Sequence, residues 1–208
     1  MTQASFRESL RAEIVAKAGA LVEAEGLEAV QARRIARDAG CAVGTIYNLF
    51  GDIDGLIIAI NATTLEMLGE AISAEAGTLL TLPLQQRLFR LATTYVGFAR
   101  HHRRRWEAVF KHRLADGREV PSSYVDDQNR LLAVIEAAIA PLIEDNDHRR
   151  LVARALFGAV HGIVALALDN RLGGRPASEM DAQIEIIVRL AARGLAREGH
   201  QTLADPYS

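Results

Sequence analysis

The stretch ARDAGCAVGTIYNLFGDIDGL, residues 36–56, constrains the fold more than any other part of the chain. Gly40 supplies the positive φ that reverses a backbone within about three residues. Ile35 and Ala39 before it, and Ile46 and Leu49 after it, fall on facing stripes of two helices. Ala36 is small where the second helix has to cross closely. That second helix, about residues 44–50, is too short to persist in water alone. It can exist only clamped on the helix before it, about residues 31–39, with Thr45, Tyr47 and Asn48 turned outward. Such a helix has the shape that enters a DNA major groove. The same corner also serves as a plain structural joint. Tyr47 is then a half-buried packing ring, Asn48 a solvated amide, and Arg33, Arg34 and Arg37 the wet face of the first helix. Spacing alone leaves both readings open.

The rest of the pattern is helical. Ser5-Phe6-Arg7-Glu8 has capping-box spacing and predicts a helix over residues 6–25, stopped by Gly26. Asp52 is placed to cap a long helix through Leu56, Ile60, Thr63 and Met67. Pro83 opens another helix, and a short one follows around residues 106–112. Ser122 or Ser123 caps the next, which Pro141 ends or kinks. Asp145 or Asp147 starts the most apolar helix, residues 172–176 form a turn, and Ser178-Glu179-Met180-Asp181 opens the last helix. The expected class is all-α, about nine helices with no convincing strand. A three-helix helix-turn-helix domain occupies residues 1–51, and a larger helical domain residues 52–208.

Composition excludes several functions. The lone cysteine, Cys41, allows no internal disulfide and fits a reducing cytoplasm. The N-terminus lacks the apolar stretch of a signal peptide. The uncharged run at residues 155–168 is too short to span a bilayer and reads as a buried core helix. A soluble cytoplasmic protein is therefore expected, with no membrane association. His101 and His102 are adjacent, so on a helix they diverge and cannot chelate together. The sequence has no Cys cluster, no His-x-x-x-His pair, no P-loop and no dinucleotide-binding glycine motif. Neither a metal, a cofactor nor an enzyme activity is expected.

Tyr95, Phe98, Trp106, Phe110, Tyr124 and Phe157 are the candidate lining of a pocket for an apolar or aromatic small molecule. Most of them also read as ordinary core. Gly158 and Gly162 share a helix face and allow another backbone to approach, at a helix cost of about 1 kcal/mol each. His161 between them is either a core histidine bonded to a neighbouring carbonyl or a ligand contact. This helix and the last one are rich in small and aliphatic residues, which suits pairing with the same two helices of a second subunit. Residues 100–113 carry six Arg and Lys against Glu107, a run that reads first as a solvated face and second as a steering patch for an acidic ligand or partner.

From Ile14 to about Leu56 the chain resembles the TetR family of transcriptional regulators. The resemblance lies in IVAKAGALVEAEGLEAV and then RRIARDAGCAVGTIYNLFGDIDGLI. These hold an Arg-Ile-Ala element, an Ala-Gly turn and a Gly-Thr-Ile-Tyr helix. The resemblance implies that Arg33, Gly44, Thr45, Tyr47 and Asn48 lie near DNA. Thr45 and Tyr47 would mostly hold phosphates, and Gly44 and Asn48 would approach base edges. More loosely, YVGFARHHRRRWEAVFKHR and LFGAVHGIVALALDNRLGG resemble the ligand-binding domain of a subgroup whose signature helix carries a His-Gly pair. Together these imply a homodimer formed through the last two helices, double-stranded near-palindromic operator DNA as its partner, and repression relieved by a small-molecule effector. Three positions depart from the family pattern: Ile53 stands for a lysine, Leu49 for a histidine or arginine, and Gln31 for a threonine. Residues 1–60 hold six Arg and Lys against eight Asp and Glu, a net of −2. Ile53 and the acidic balance motivate a rival to the regulator, a helical dimeric ligand-binding or protein-interaction module that has lost operator binding.

Overall fold

The computed structural model describes residues 2–114, 119–169 and 177–204. Among these there are nine α-helices and no strand. They are α1 (Gln3–Glu25), α2 (Ala32–Asp38), α3 (Val43–Phe50), α4 (Ile53–Leu79), α5 (Leu84–His101), α6 (Arg103–Lys111), α7 (Ser122–Ile139), α8 (Asn146–Leu168) and α9 (Ala177–Ala204), with a single 3-10 turn at Leu27–Ala29. The expected turn at residues 172–176, and residues 115–118 of the expected loop before α7, lie outside the described residues.

Side-chain caps open three of the helices, α1, α4 and α8. Asp52 Oδ1 accepts the Gly55 N–H at 2.9 Å, and Asp145 Oδ1 accepts the His148 N–H at 2.7 Å, each satisfying an orphan donor of a first turn. Of the two aspartates considered for α8, Asp145 is therefore the cap. The expected box at Ser5 is not used. Instead α1 starts at Gln3, with the Thr2 hydroxyl accepting the Ser5 N–H at 3.3 Å. Threonine is a slightly weaker cap than serine, but the longer helix gains further backbone bonds.

The chain divides into two units, Met1–Met67 with His101–Asp127, and Leu68–Arg100 with Gln128–Ser208. The core of the first unit gathers Ile14, Ala18 and Val22 of α1, Ile35 and Ala36 of α2, Ile46 of α3, Leu56 and Ile60 of α4, and Ala108 of α6. The buried Asn61 amide of α4 donates to the Ala108 carbonyl at 3.2 Å, while its own Oδ1 has no partner. An orphaned buried oxygen costs about 1–3 kcal/mol.

In the second unit, Leu88, Leu91, Tyr95 and Phe98 of α5 are buried, as are Ile139 of α7 and Ile184, Val188 and Leu195 of α9. Arg87 closes two helix ends in this unit. Its guanidinium donates to the Leu79, Leu80 and Leu82 carbonyls at 3.1–3.3 Å and to the Ala138 carbonyl at 2.6 Å.

One expectation is overturned. The sequence predicts a buried core helix at residues 155–168, yet Ala153 and Val164 are the fully buried residues of α8. Leu151 and Leu166 are 67% and 43% exposed. By length and hydropathy alone, Ile53–Ala74 and α8 are long and apolar enough to cross a membrane, with 50% and 11% of those windows buried. Periodicity shows that a face is apolar but not what covers it, and within its own chain α8 is fully buried only at Ala153 and Val164, most of its other residues being half-buried. At Gly158 and Gly162 an added Cβ would meet nothing within 4 Å.

Candidate functional site

Helices α2 and α3 form the expected corner. Gly40 has φ 66°, and the Cys41 N–H returns to the Ala36 carbonyl at 2.9 Å. Ile35 and Ala36 are 1% exposed and Ile46 is 0% exposed. The anchoring Ile46 fixes the helix rotation, leaving Gly44, Tyr47 and Asn48 exposed and Thr45 half-exposed. Tyr47 is 48% exposed. Gly44 meets nothing within 4 Å, so the first turn of α3 offers bare backbone to a neighbour. Arg33 is exposed on α2 and makes no ion pair among the described residues.

Placement answers the acidic balance. Residues 43–50 carry no charge. The Glu25 carboxylate takes both Arg34 N–H groups at 2.5 and 2.7 Å, and the Arg34 hydrogen bond holds its pKa below the usual carboxylate value. Glu13 pairs with Lys17 at 3.0 Å and Glu23 with Arg105 at 3.0 Å. Several of the acids are thus held by structural partners, while Arg33 stays exposed with no ion pair among the described residues and Arg37 is exposed with Asp38 at 3.4 Å.

Two arginines were missed by the sequence reading. The Arg7 guanidinium donates to the Asn48 carbonyl at 3.0 Å, and Arg11 lies 5.1 Å from the centroid of the Phe50 ring. Gly55 was missed as well. A Cβ there would stand 2.1 Å from the Phe50 carbonyl oxygen, so the first turn of α4 presses on the last turn of α3. Arg7 and Asn48 lie 41 residues apart, so that contact carries no local signal.

The candidate effector residues fall into separate groups. Tyr95, Phe157 and His161 come together in the second unit. The Tyr95 hydroxyl lies 2.7 Å from His161 Nδ1, and Phe157 stacks on the His161 ring with centroids 5.5 Å apart. Phe98 is buried one turn along from Tyr95. Trp106 and Phe110 pack together in the first unit at 5.1 Å, and Tyr124 is buried in that unit. The Tyr95 hydroxyl is thus a polar partner of His161, from a helix other than its own. A depression of about 600 Å³ lies elsewhere, lined by Glu136, Glu144, Asp145, Asn146, Asp147 and Arg150. Its acidic, open walls do not suit an apolar molecule.

Burial pushes the His161 imidazole below its ordinary pKa of 6.5. The unfolded chain therefore takes up the proton first as pH falls, and stability present above pH 6.5 is lost below it. The melting temperature should fall more steeply between about pH 7.5 and about pH 5.5 in the wild type than in His161→Gln. Equal slopes would mean that the ring is not desolvated. The basic corner is largely paired: Arg100 with Asp181, Arg103 and Lys111 with Glu107, and Arg105 with Glu23. It reads as a braced surface.

Residues 14–60 match the bacterial regulatory proteins, tetR family, and residues 88–191 match the Tetracyclin repressor-like, C-terminal domain. The second match alone spans half of the chain. No curated protein matches the sequence. Among solved structures, a protein of unknown function from Rhodococcus sp. RHA1 is 26% identical, with a TM-score of 0.71 over 90% of this chain and 95% of that one. A tetR-family transcriptional regulator from Streptomyces coelicolor is 20% identical, with a TM-score of 0.66 over 95% and 90%. FadR from Bacillus subtilis, solved with stearoyl-CoA, is 16% identical, with a TM-score of 0.62 over 87% and 97%. The last two likenesses speak to the fold.

Proposed function

Since the chain belongs to the TetR family of transcriptional regulators, we propose that it reads a near-palindromic operator as a homodimer and leaves it when a small apolar or aromatic effector binds. The observation that carries this reading is the short, uncharged α3, seated on Ile46 with Tyr47 and Asn48 exposed between flanking arginines. In the proposal, residues 1–51 are the DNA-reading domain. Arg33, Thr45 and Tyr47 hold phosphates, and Gly44 and Asn48 approach base edges. Residues 52–208 dimerise and take the effector. The chain acts in the cytoplasm, where the operator lies.

The homodimer reading is supported by the uncovered apolar residues of α8 and α9, among them Leu166, Ile186 and Leu190, and by the open space beside Gly158 and Gly162. A second copy would cover these faces in a two-fold four-helix interface. Two α3 helices about one turn of DNA apart then meet the two halves of the site. For the effector, the cluster of Tyr95, Phe157 and His161 supplies aromatic surface with one polar handle. The fold of FadR holds a long acyl thioester in that protein, which supports an apolar ligand class. An effector that favours one spacing of the two α3 helices shifts the population of DNA-competent dimers. Helix α4, unbroken from Ile53 to Leu79, is the proposed lever.

A gel-shift with DNA flanking the protein's own gene, at low and moderate salt, tests the reading, with sedimentation to report the oligomer. A retarded band and a dimer are expected. No retardation on any fragment, with the dimer intact, leaves the rival dimeric module that does not bind an operator.

A further inference from the structure

We infer that Arg7 and Arg11 are positioning residues for DNA recognition, holding the C-terminal end of α3 from the N-terminal turns of α1. The inference rests on α3 being the reading helix.

Helix α3 is poorly secured by its own sequence. It has eight residues, one of them buried, and Ala42 at its N-cap offers no side-chain hydrogen bond. Its last turn contains no basic residue, although the carbonyls there are unsatisfied and favour a cation. The Gly51 N–H reaches the Tyr47 carbonyl at 2.8 Å, which leaves the next one, on Asn48, to be met from outside. Arg7 meets it across 41 residues of sequence. Arg11, one turn further along the same face of α1, lays its guanidinium over Phe50, the final residue of α3. One arginine takes the backbone and the other the ring, so together they resist both unwinding and rotation of the end that carries Asn48.

The shape of α1 agrees. Its first buried residue is Ile14, and before it only Leu10 is even half-buried. About three turns of α1 therefore run ahead of the core they would normally need. Those turns are where Arg7 and Arg11 sit. Their hold on α3 accounts for the extension, and it compensates for Ile53, where a phosphate-binding lysine is absent. A different role for the same arginines, direct contact with phosphate, predicts different salt behaviour.

The test uses the full chain and a duplex that the wild type selects from a random pool. The probes are that duplex and an unrelated one of equal length. Arg7→Gln with Arg11→Gln should weaken binding to the selected duplex by about tenfold or more. The slope of log affinity against log salt should stay unchanged, with little loss on the unrelated duplex. In the DNA-free protein, backbone amides of residues 43–51 should exchange with solvent faster, while far-UV helicity stays at the wild-type level. Arg7→Lys, which keeps a donor, should recover part of the exchange protection. The inference is overturned if the slope shrinks by about 0.9 per arginine with equal loss on both duplexes, the mark of a phosphate contact. Unchanged affinity or unchanged exchange overturns it too. Should the wild type select no duplex, operator binding fails, and the exchange measurement still decides whether the arginines hold α3.

Discussion

Gly55→Ala should melt about 5–10 °C below the wild type and lose operator binding with it. Within a helix, replacing glycine with alanine ordinarily stabilises by up to about 1 kcal/mol, because alanine restricts the unfolded chain. At Gly55 the sign reverses. The new Cβ would stand 2.1 Å from the Phe50 carbonyl oxygen and 3.2 Å from its carbon, both backbone atoms that no rotamer change can move aside. The first turn of α4 has to shift off the last turn of α3, at an overpacking cost of about 1–3 kcal/mol. The same shift disturbs the Gly55 N–H bond to Asp52. Gly97→Ala in α5 is the internal control, since a Cβ there meets nothing within 4 Å. Thermal unfolding by circular dichroism separates the two: 97 should rise slightly and 55 should fall. A Gly55→Ala protein as stable as the wild type would mean that α3 and α4 are not pressed together.

Tyr47→Ala should weaken operator binding more than about 100-fold while helicity and dimerisation hold. The ring is 48% exposed although it sits on a short helix whose anchor is Ile46. Truncating a surface side chain away from core and caps costs about 0.5 kcal/mol or less. Function and stability are thus cleanly separable here, as they are not at Gly55. Fluorescence anisotropy on the operator, with sedimentation and far-UV circular dichroism alongside, measures all three properties. Collapse of helicity would show that Tyr47 belongs to the core and that another face of α3 reads DNA.

The readings that succeeded rest on interactions spanning only a few residues. Gly40 at the corner, Asp52 before α4 and Asp145 before α8 are short-range chemistry, and each acts in the structure as its spacing implies. Thr2 displaced Ser5 because two competent caps lay three residues apart and the longer helix won. Periodicity also located the apolar stripe of α8 but could not say that its own chain leaves most of that stripe only half-buried. His161 was recognised as unusual, yet its Tyr95 partner lies 66 residues away. Arg7 against Asn48, Asn61 against Ala108 and Gly55 against Phe50 likewise depend on how helices meet. For the candidate DNA site, α3 was legible from sequence and its supports were not.

Arg87 carries a consequence for how the chain tolerates substitution. Its guanidinium fans out to carbonyls at Leu79, Leu80, Leu82 and Ala138, gathering the ends of α4 and α7 under one side chain. Lysine keeps the charge but concentrates its donors on a single nitrogen, which cannot spread across acceptors on two helices. Position 87 should therefore refuse even its nearest chemical relative, while the exposed Leu80 should accept any residue that leaves the backbone in place. Charge alone does not do this work; the breadth of a planar group does.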